Sequence, residues 1–211
     1  MNLLISTSIL SIKNNIETNI QKINQSTTDF IHLDIMDGKF VPNKTWNINE
    51  IKSLLNNTTK PLDVHLMVSD VINYIDDFSA LKPEYITVHL EACEDVQVVI
   101  NYIHQKGLKA GVSIKPTTDI STVYPYLASV DLVLVMSVEP GRGGQKFLDT
   151  TYDRLMLLNS YRDNYNFLIE VDGGLNDNIV SKLSQVDIVV VGSYITESDN
   201  YQLQIDKLKG K

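Results

Sequence analysis

The stretch Phe30-Ile31-His32-Leu33-Asp34-Ile35-Met36-Asp37-Gly38 decides how the chain is read. Its residues alternate in character and run into a glycine, which is the pattern of a strand with two unlike faces. Ile31, Leu33 and Ile35 take one face, and His32, Asp34 and Met36 take the other. The stretch Leu62-Asp63-Val64-His65-Leu66-Met67 repeats this, with Val64 and Leu66 on the apolar side and Asp63, His65 and Met67 opposite. Further on, Ile169 and Val171 alternate with Glu170 and Asp172.

Working outward, short β-branched runs predict strands over 3–6, 30–34, 62–65, 85–88, 109–114, 132–136, 167–171 and 188–191. Helical periodicity falls between them, over 16–23, 48–55, 71–81, 96–106, 120–127, 152–161, 178–183 and 202–208. Val71, Tyr74, Ile75 and Phe78 show the 3.6-residue stripe, as do Val96, Val99, Ile100 and Ile103. Eight strand–helix units in 211 residues, about 26 residues each, predict a parallel sheet closed into a small (β/α)8 TIM barrel spanning 1–211 as one domain. The alternative, an open doubly wound sheet for a dinucleotide, would want glycines after the first strand, and Ile5 to Ser11 contains none.

Composition narrows the function classes. An apolar fraction of 43% with 21% charged residues describes a globular chain rather than a disordered one. The formal charge of −8 and the lack of a basic stripe argue against nucleic acid, and an anionic ligand would need a local grip. One cysteine, Cys93, excludes an internal disulfide and suits a reducing compartment. No apolar run is long enough to span a bilayer, and the start lacks the pattern of a signal peptide. The expectation is a cytoplasmic protein without membrane partners.

In such a barrel the site lies at the carboxyl ends of the strands. His32, Asp34, His65 and Asp172 then converge on one mouth, and two imidazoles with two carboxylates suit a divalent ion: zinc, iron(II), manganese or cobalt. His104 is expected in a helix and solvated, while His89 follows the fourth strand with no assigned role. Gly173-Gly174 and Gly192-Ser193 end the seventh and eighth strands, where barrels frequently cradle phosphate. Pro140-Gly141-Arg142-Gly143-Gly144-Gln145, after the sixth strand, is placed to close over a ligand.

These segments carry a resemblance. Ser8-Ile9-Leu10, the stretch from His32 to Gly38 with Phe40-Val41-Pro42-Asn43, Leu62 to Met67, Met136-Ser137-Val138-Glu139-Pro140-Gly141, Glu170 to Gly174, and Gly192-Ser193 resemble the ribulose-phosphate 3-epimerase family, in order, over nearly the whole chain. The resemblance implies a ribulose-phosphate-binding barrel and a metal-dependent isomerase that interconverts D-ribulose 5-phosphate and D-xylulose 5-phosphate. It implies His32, Asp34, His65 and Asp172 as ligands of one divalent ion, with Asp34 and Asp172 also the two proton-transfer groups on opposite faces of the substrate. It implies substrate contacts from Ser8, His65, Met36, Met67, Met136, Gly141, Arg142, Gly143 and Gly144, and phosphate contacts from Gly173, Gly174, Gly192 and Ser193. The family is often oligomeric, so a homo-oligomer is expected, although no stripe names an interface.

The chemistry is consistent with that implication. Inverting C3 removes a proton α to the C2 carbonyl and returns one to the other face through an enediolate, whose charge a divalent ion can hold. One carboxylate must begin ionised and the other protonated. Several residues depart from the family pattern: Thr7, Arg142, Lys44-Thr45-Trp46-Asn47, Thr117 and Tyr194. They are expected to ring the mouth, and so bear on substrate choice. This motivates an epimerase of a related ketose phosphate such as allulose 6-phosphate as the alternative. A non-catalytic sugar-phosphate binder would not need the paired carboxylates. A metal-free decarboxylase or synthase would want a lysine in the mouth, where neither Lys109 nor Lys115 is expected.

Overall fold

The computed structural model describes residues 3–210. Eight parallel strands close into a barrel in chain order: β1 (Leu4–Ser8), β2 (Phe30–Met36), β3 (Leu62–Met67), β4 (Tyr85–His89), β5 (Lys109–Ile114), β6 (Leu132–Met136), β7 (Leu168–Asp172) and β8 (Ile188–Val191). Closure is direct, because β1 pairs with β2 through Ser8 and His32 and with β8 through Thr7 and Val191. Around it run α1 (Ile16–Gln25), α2 (Ile48–Leu54), α3 (Val71–Ser79), α4 (Val96–Gln105), α5 (Thr150–Asn159), α6 (Asp177–Val180), α7 (Ser193–Thr196) and α8 (Tyr201–Leu208).

The outward faces form the main core. Ile31, Leu33, Ile35, Val64, Leu66, Ile169 and Val171 are fully buried, against helix residues such as Ile75, Phe78, Ile100 and Ile103. Each such side chain contributes about 1.5–3 kcal/mol of transfer free energy, so the alternation in the sequence is enough to set which way every strand faces. Inside, the amino-terminal end is plugged by Phe30, Tyr85, Leu132, Leu134 and Ile188, with Phe30 edge-on to Tyr85 at 5.9 Å. That apolar plug makes the interior a packed core, so a ligand can enter only from the carboxyl ends.

The predicted elements stand, with informative shifts. β2 and β3 run two residues beyond their expected ends, to Met36 and Met67, because the two strands stay in register there and every position is buried. β1 likewise continues through Ser8, and β7 reaches Asp172. The fifth connection is a 3₁₀ helix, Ile120–Tyr126, whose internal Pro125 has no N–H for an α-helical bond. The predicted helix at 178–183 shrinks to the four residues of α6.

Candidate active site and metal centre

β2 delivers His32 and Asp34, β3 delivers His65, and β7 ends on Asp172; one donor atom from each lies within 4.8 Å of all the others. His32 Nε2 and His65 Nδ1 each stand 3.6 Å from Asp34 Oδ1, and His65 Nδ1 is 4.0 Å from Asp172 Oδ2. Both nitrogens are buried and have no hydrogen-bond partner. Orphaned polar atoms of this kind are rare in native proteins and call for an occupant. Two unpartnered imidazole nitrogens and two carboxylates aimed at one point fit a divalent ion. Ser8 Oγ donates to the other oxygen of Asp34 at 2.7 Å and holds that carboxylate in place.

The far sides of both rings are held as well. His32 Nδ1 lies 2.6 Å from Asp63 Oδ2, an oxygen that also accepts from Ser6 Oγ at 2.7 Å. His65 Nε2 lies 2.9 Å from His89 Nε2, and His89 Nδ1 lies 3.3 Å from Glu91 Oε2. Sequence reasoning gave Asp63 its inward direction without a role and left His89 unassigned. Parity was the available signal, since Tyr85, Thr87 and His89 are the inward positions of β4, and all three are buried. Glu170 lies below, sharing a tight cluster with His32 and Asp63, and neither of its carboxylate oxygens has a partner. His104 sits on α4 as expected, 39% exposed and 2.8 Å from Asp131.

Electrostatics separate the two acids. Burial works to raise Asp34, but the neighbouring His32 and His65 outweigh it and hold that carboxyl far below the usual range. Asp172 moves the other way: burial, then the charge of Asp34, push it up to about 7. Burial opposes a charged His32, yet Asp63 and Asp34 together raise it well above the usual imidazole value. Burial lowers His65. Two carboxyls whose affinities for a proton diverge in this way are matched to one base and one acid.

Above the centre opens a cavity of about 330 Å³. Asp34, Asp172, Ser8, Met36, Met67 and Met136 line its floor, and His32 and His65 lie beneath. Its walls are Gly141, Arg142, Gly143 and Gly144 on one side, with Gly173, Gly174, Gly192 and Ser193 on the other. Gly174 holds φ at +63°, and a Cβ there would come 2.4 Å from the backbone nitrogen of Phe147, so only glycine lets the two loops meet. Gln145 Nε2 donates to the carbonyls of Glu139 and Arg142, and Asn43 Nδ2 donates to that of Gly141, which ties the wall after β6 down. Arg142 is the one cation among the lining residues.

The departures from the family pattern divide. Arg142 and Tyr194 line the cavity, whereas Trp46 and Thr117 do not. Thr45 Oγ1 donates to the Asp34 carbonyl and accepts from the Met36 N–H, which folds the chain back so that Trp46 packs on the outer core. Asn47 caps α2 in a capping box with Glu50. Thr7 faces away from the site and pairs with Thr28 at 2.7 Å, leaving Ser8 on Asp34.

Comparison with known proteins agrees with this geometry. The model of the ribulose-phosphate 3 epimerase family matches residues 4–196. Ribulose-phosphate 3-epimerase of Helicobacter pylori J99 is 40% identical over 188 residues, covering 87% of each chain. The Escherichia coli K12 protein of that name is 38% identical, covering 87% of this chain and 84% of its own. Among solved structures, a ligand complex of KGPDC from Streptococcus mutans superposes with a TM-score of 0.73 at 13% identity, over 100% of this chain and 97% of its own. The 3-hexulose-6-phosphate synthase of Salmonella typhimurium gives 0.68 at 18%, over 99% and 97%. At those identities the structures attest the barrel alone. The extent and identity of the sequence matches do more: the chain belongs to the ribulose-phosphate 3-epimerase family and is an epimerase.

Proposed function

We propose that the enzyme interconverts D-ribulose 5-phosphate and D-xylulose 5-phosphate by proton transfer between C3 and two carboxylates, Asp34 and Asp172. The observation that carries this is the pair itself. Both carboxyls share the floor of the cavity at the barrel mouth, and their surroundings drive them apart: Asp34 is held well below the usual range, and Asp172 is pushed up to about 7. One takes the proton from C3, the other supplies one to the opposite face, and the roles exchange with the direction of reaction.

His32, Asp34, His65 and Asp172 would hold one divalent ion: zinc, iron(II), manganese or cobalt. When bound, it supplies positive charge for the oxygens of the enediolate. Ser8 orients Asp34. Met36, Met67 and Met136 keep the reacting carbons in an apolar, polarizable slot that offers no competing proton. Gly173, Gly174, Gly192 and Ser193 present backbone N–H groups to the phosphate, and Arg142 adds the cation that a chain of charge −8 otherwise withholds. We place the protein in the cytoplasm, in keeping with its lone cysteine, whose thiol burial pushes up to about 11. The chain acts as one barrel domain, open to self-association.

A second reading is supported by Arg142 and Tyr194 at the cavity wall: a preference for a six-carbon ketose phosphate such as allulose 6-phosphate. Comparing kcat/KM for ribulose 5-phosphate and allulose 6-phosphate on the metal-loaded enzyme decides between them. The expected result is a clear preference for the pentulose, and a preference for the hexulose would replace the first reading with the second.

A further inference from the structure

We infer that Glu91 is a positioning residue for the metal centre: acting through His89, it dictates which ring nitrogen of His65 carries hydrogen and leaves Nδ1 bare toward the cluster. This rests on the reading of His65 as a ligand and adds to it an acid that lies outside the cavity.

Donors and acceptors along the chain His65, His89, Glu91 must match. Two imidazole nitrogens, His65 Nε2 and His89 Nε2, face each other at 2.9 Å with both rings fully buried. Between neutral rings that contact holds one hydrogen, and two arrangements are available. In the first, His65 Nε2–H donates to His89, so His89 carries its hydrogen on Nδ1 and His65 Nδ1 keeps a lone pair. In the second, His89 Nε2–H donates to His65, which moves the hydrogen of His65 onto Nδ1, the atom facing Asp34 Oδ1 at 3.6 Å. Only the first leaves a nitrogen able to bind a metal.

Glu91 makes the choice. It sits in the 3₁₀ turn Leu90–Ala92 that follows β4, with its side chain 23% exposed. Oε1 accepts from the Lys115 N–H at 2.8 Å and from the Thr118 hydroxyl. Oε2 faces His89 Nδ1 at 3.3 Å. An ionised carboxylate is an acceptor at both oxygens whatever holds the first, so His89 Nδ1 must be the donor. The second arrangement would set two lone pairs against each other. Phe40, whose ring centre is 4.9 Å from that of His89, keeps the imidazole from turning away. Lys115 in turn lies 4.2 Å over the Phe40 ring, so the loop after β5 fixes both the acid and the ring it directs.

Glu91→Gln tests this with almost no change of shape. Lys115 and Thr118 still require an acceptor, so the amide oxygen stays with them and the amide NH₂ turns to His89. Facing a donor, His89 Nδ1 becomes an acceptor, and the hydrogen order reverses through to His65. Long-range ¹H–¹⁵N NMR reads the tautomers of the four histidines in metal-free protein at neutral pH. Competition with a chromogenic chelator reads zinc affinity, and the thermal midpoint checks the fold. Wild type should show His65 as the Nε2–H form. Glu91→Gln should shift it toward Nδ1–H and weaken zinc by about 10–100-fold, the usual effect of losing such an outer partner. Thr118→Val, which removes a donor from the same carboxylate, should change neither.

Three results would overturn the inference: an Nδ1–H His65 in wild type, a Glu91→Gln protein unchanged in both readouts, or equal losses in Thr118→Val. The first is read on wild type alone, so it decides even if a variant fails to fold. Wild type that takes up no zinc, manganese, iron(II) or cobalt would overturn the metal centre itself, which is a different failure from a wrong tautomer.

Discussion

Replacing Asp172 by asparagine separates the two proton-transfer steps. Asparagine keeps the shape and a carbonyl oxygen but cannot take up or release the proton that Asp172, pushed up to about 7 by burial and by the charge of Asp34, would exchange with C3. Asp34, far below the usual carboxylate range, stays ionised throughout. Positioned acid–base groups contribute about 10²–10⁴-fold, so epimerisation should fall by that factor, or about 2.7–5.4 kcal/mol of barrier at about 1.36 kcal/mol per decade. The residual chemistry should be one-sided. Asp34 can still remove a proton from the C3 face it addresses and return one to the same face. In D₂O, one epimer should therefore exchange its C3 hydrogen without inverting, while the other stays inert. Proton NMR of each pure epimer reads both events, and metal analysis of the variant separates lost chemistry from a lost ion. Exchange in both epimers, or epimerisation close to wild type, would refute the assignment of one carboxylate to each face.

Gly174→Ala should cost at least about 2 kcal/mol in a denaturant titration, because it strains a left-handed φ and drives a Cβ to 2.4 Å from the Phe147 nitrogen; Gly143→Ala, with nothing within 4 Å, should be near neutral. Arg142→Ala should raise KM about tenfold with kcat little changed, since a phosphate contact is made equally in ground and transition states; a fall in kcat alone would refute that role. Acid should loosen the loop around Glu91, whose backbone and side-chain donors outweigh burial and lower it from 4.5 to about 2. A depressed acid contributes stability that is complete above pH 4.5 and lost as the pH falls toward 2. Screening of this partly exposed group leaves on the order of 1–2 kcal/mol. Glu91→Gln should therefore flatten the pH dependence of unfolding in that window, and an unchanged slope would count against it.

Much of this was legible because a strand in a parallel barrel has one apolar side to bury. Ile31, Leu33 and Ile35 fix the orientation of β2, and the period of two then sends His32 and Asp34 inward without any knowledge of their partners. What the sequence could not give is which inward residue meets which. Ser6, His32 and Asp63 lie on three strands, and their shared hydrogen bonds exist only once β1, β2 and β3 are in register. His89 was invisible as a partner of His65 for the same reason: 24 residues and a helix separate them. Trp46 misled in the opposite way. Its place in a loop at the carboxyl ends suggested the mouth, but the bonds of Thr45 to β2 turn it onto the outer core. Loop side chains follow such local ties, which alternation does not encode.

Anomalous diffraction shows whether His32, Asp34, His65 and Asp172 form one metal centre at the floor of the cavity. Crystals of protein grown with zinc, manganese, iron(II) or cobalt, measured on both sides of the metal's absorption edge, locate the ion without reference to activity. One strong peak is expected between His32 Nε2, His65 Nδ1 and the carboxylates of Asp34 and Asp172. A peak instead among His32, Asp63 and Glu170, a second cluster among the described residues able to hold an ion, or no peak in the barrel with any of the four metals, would refute it.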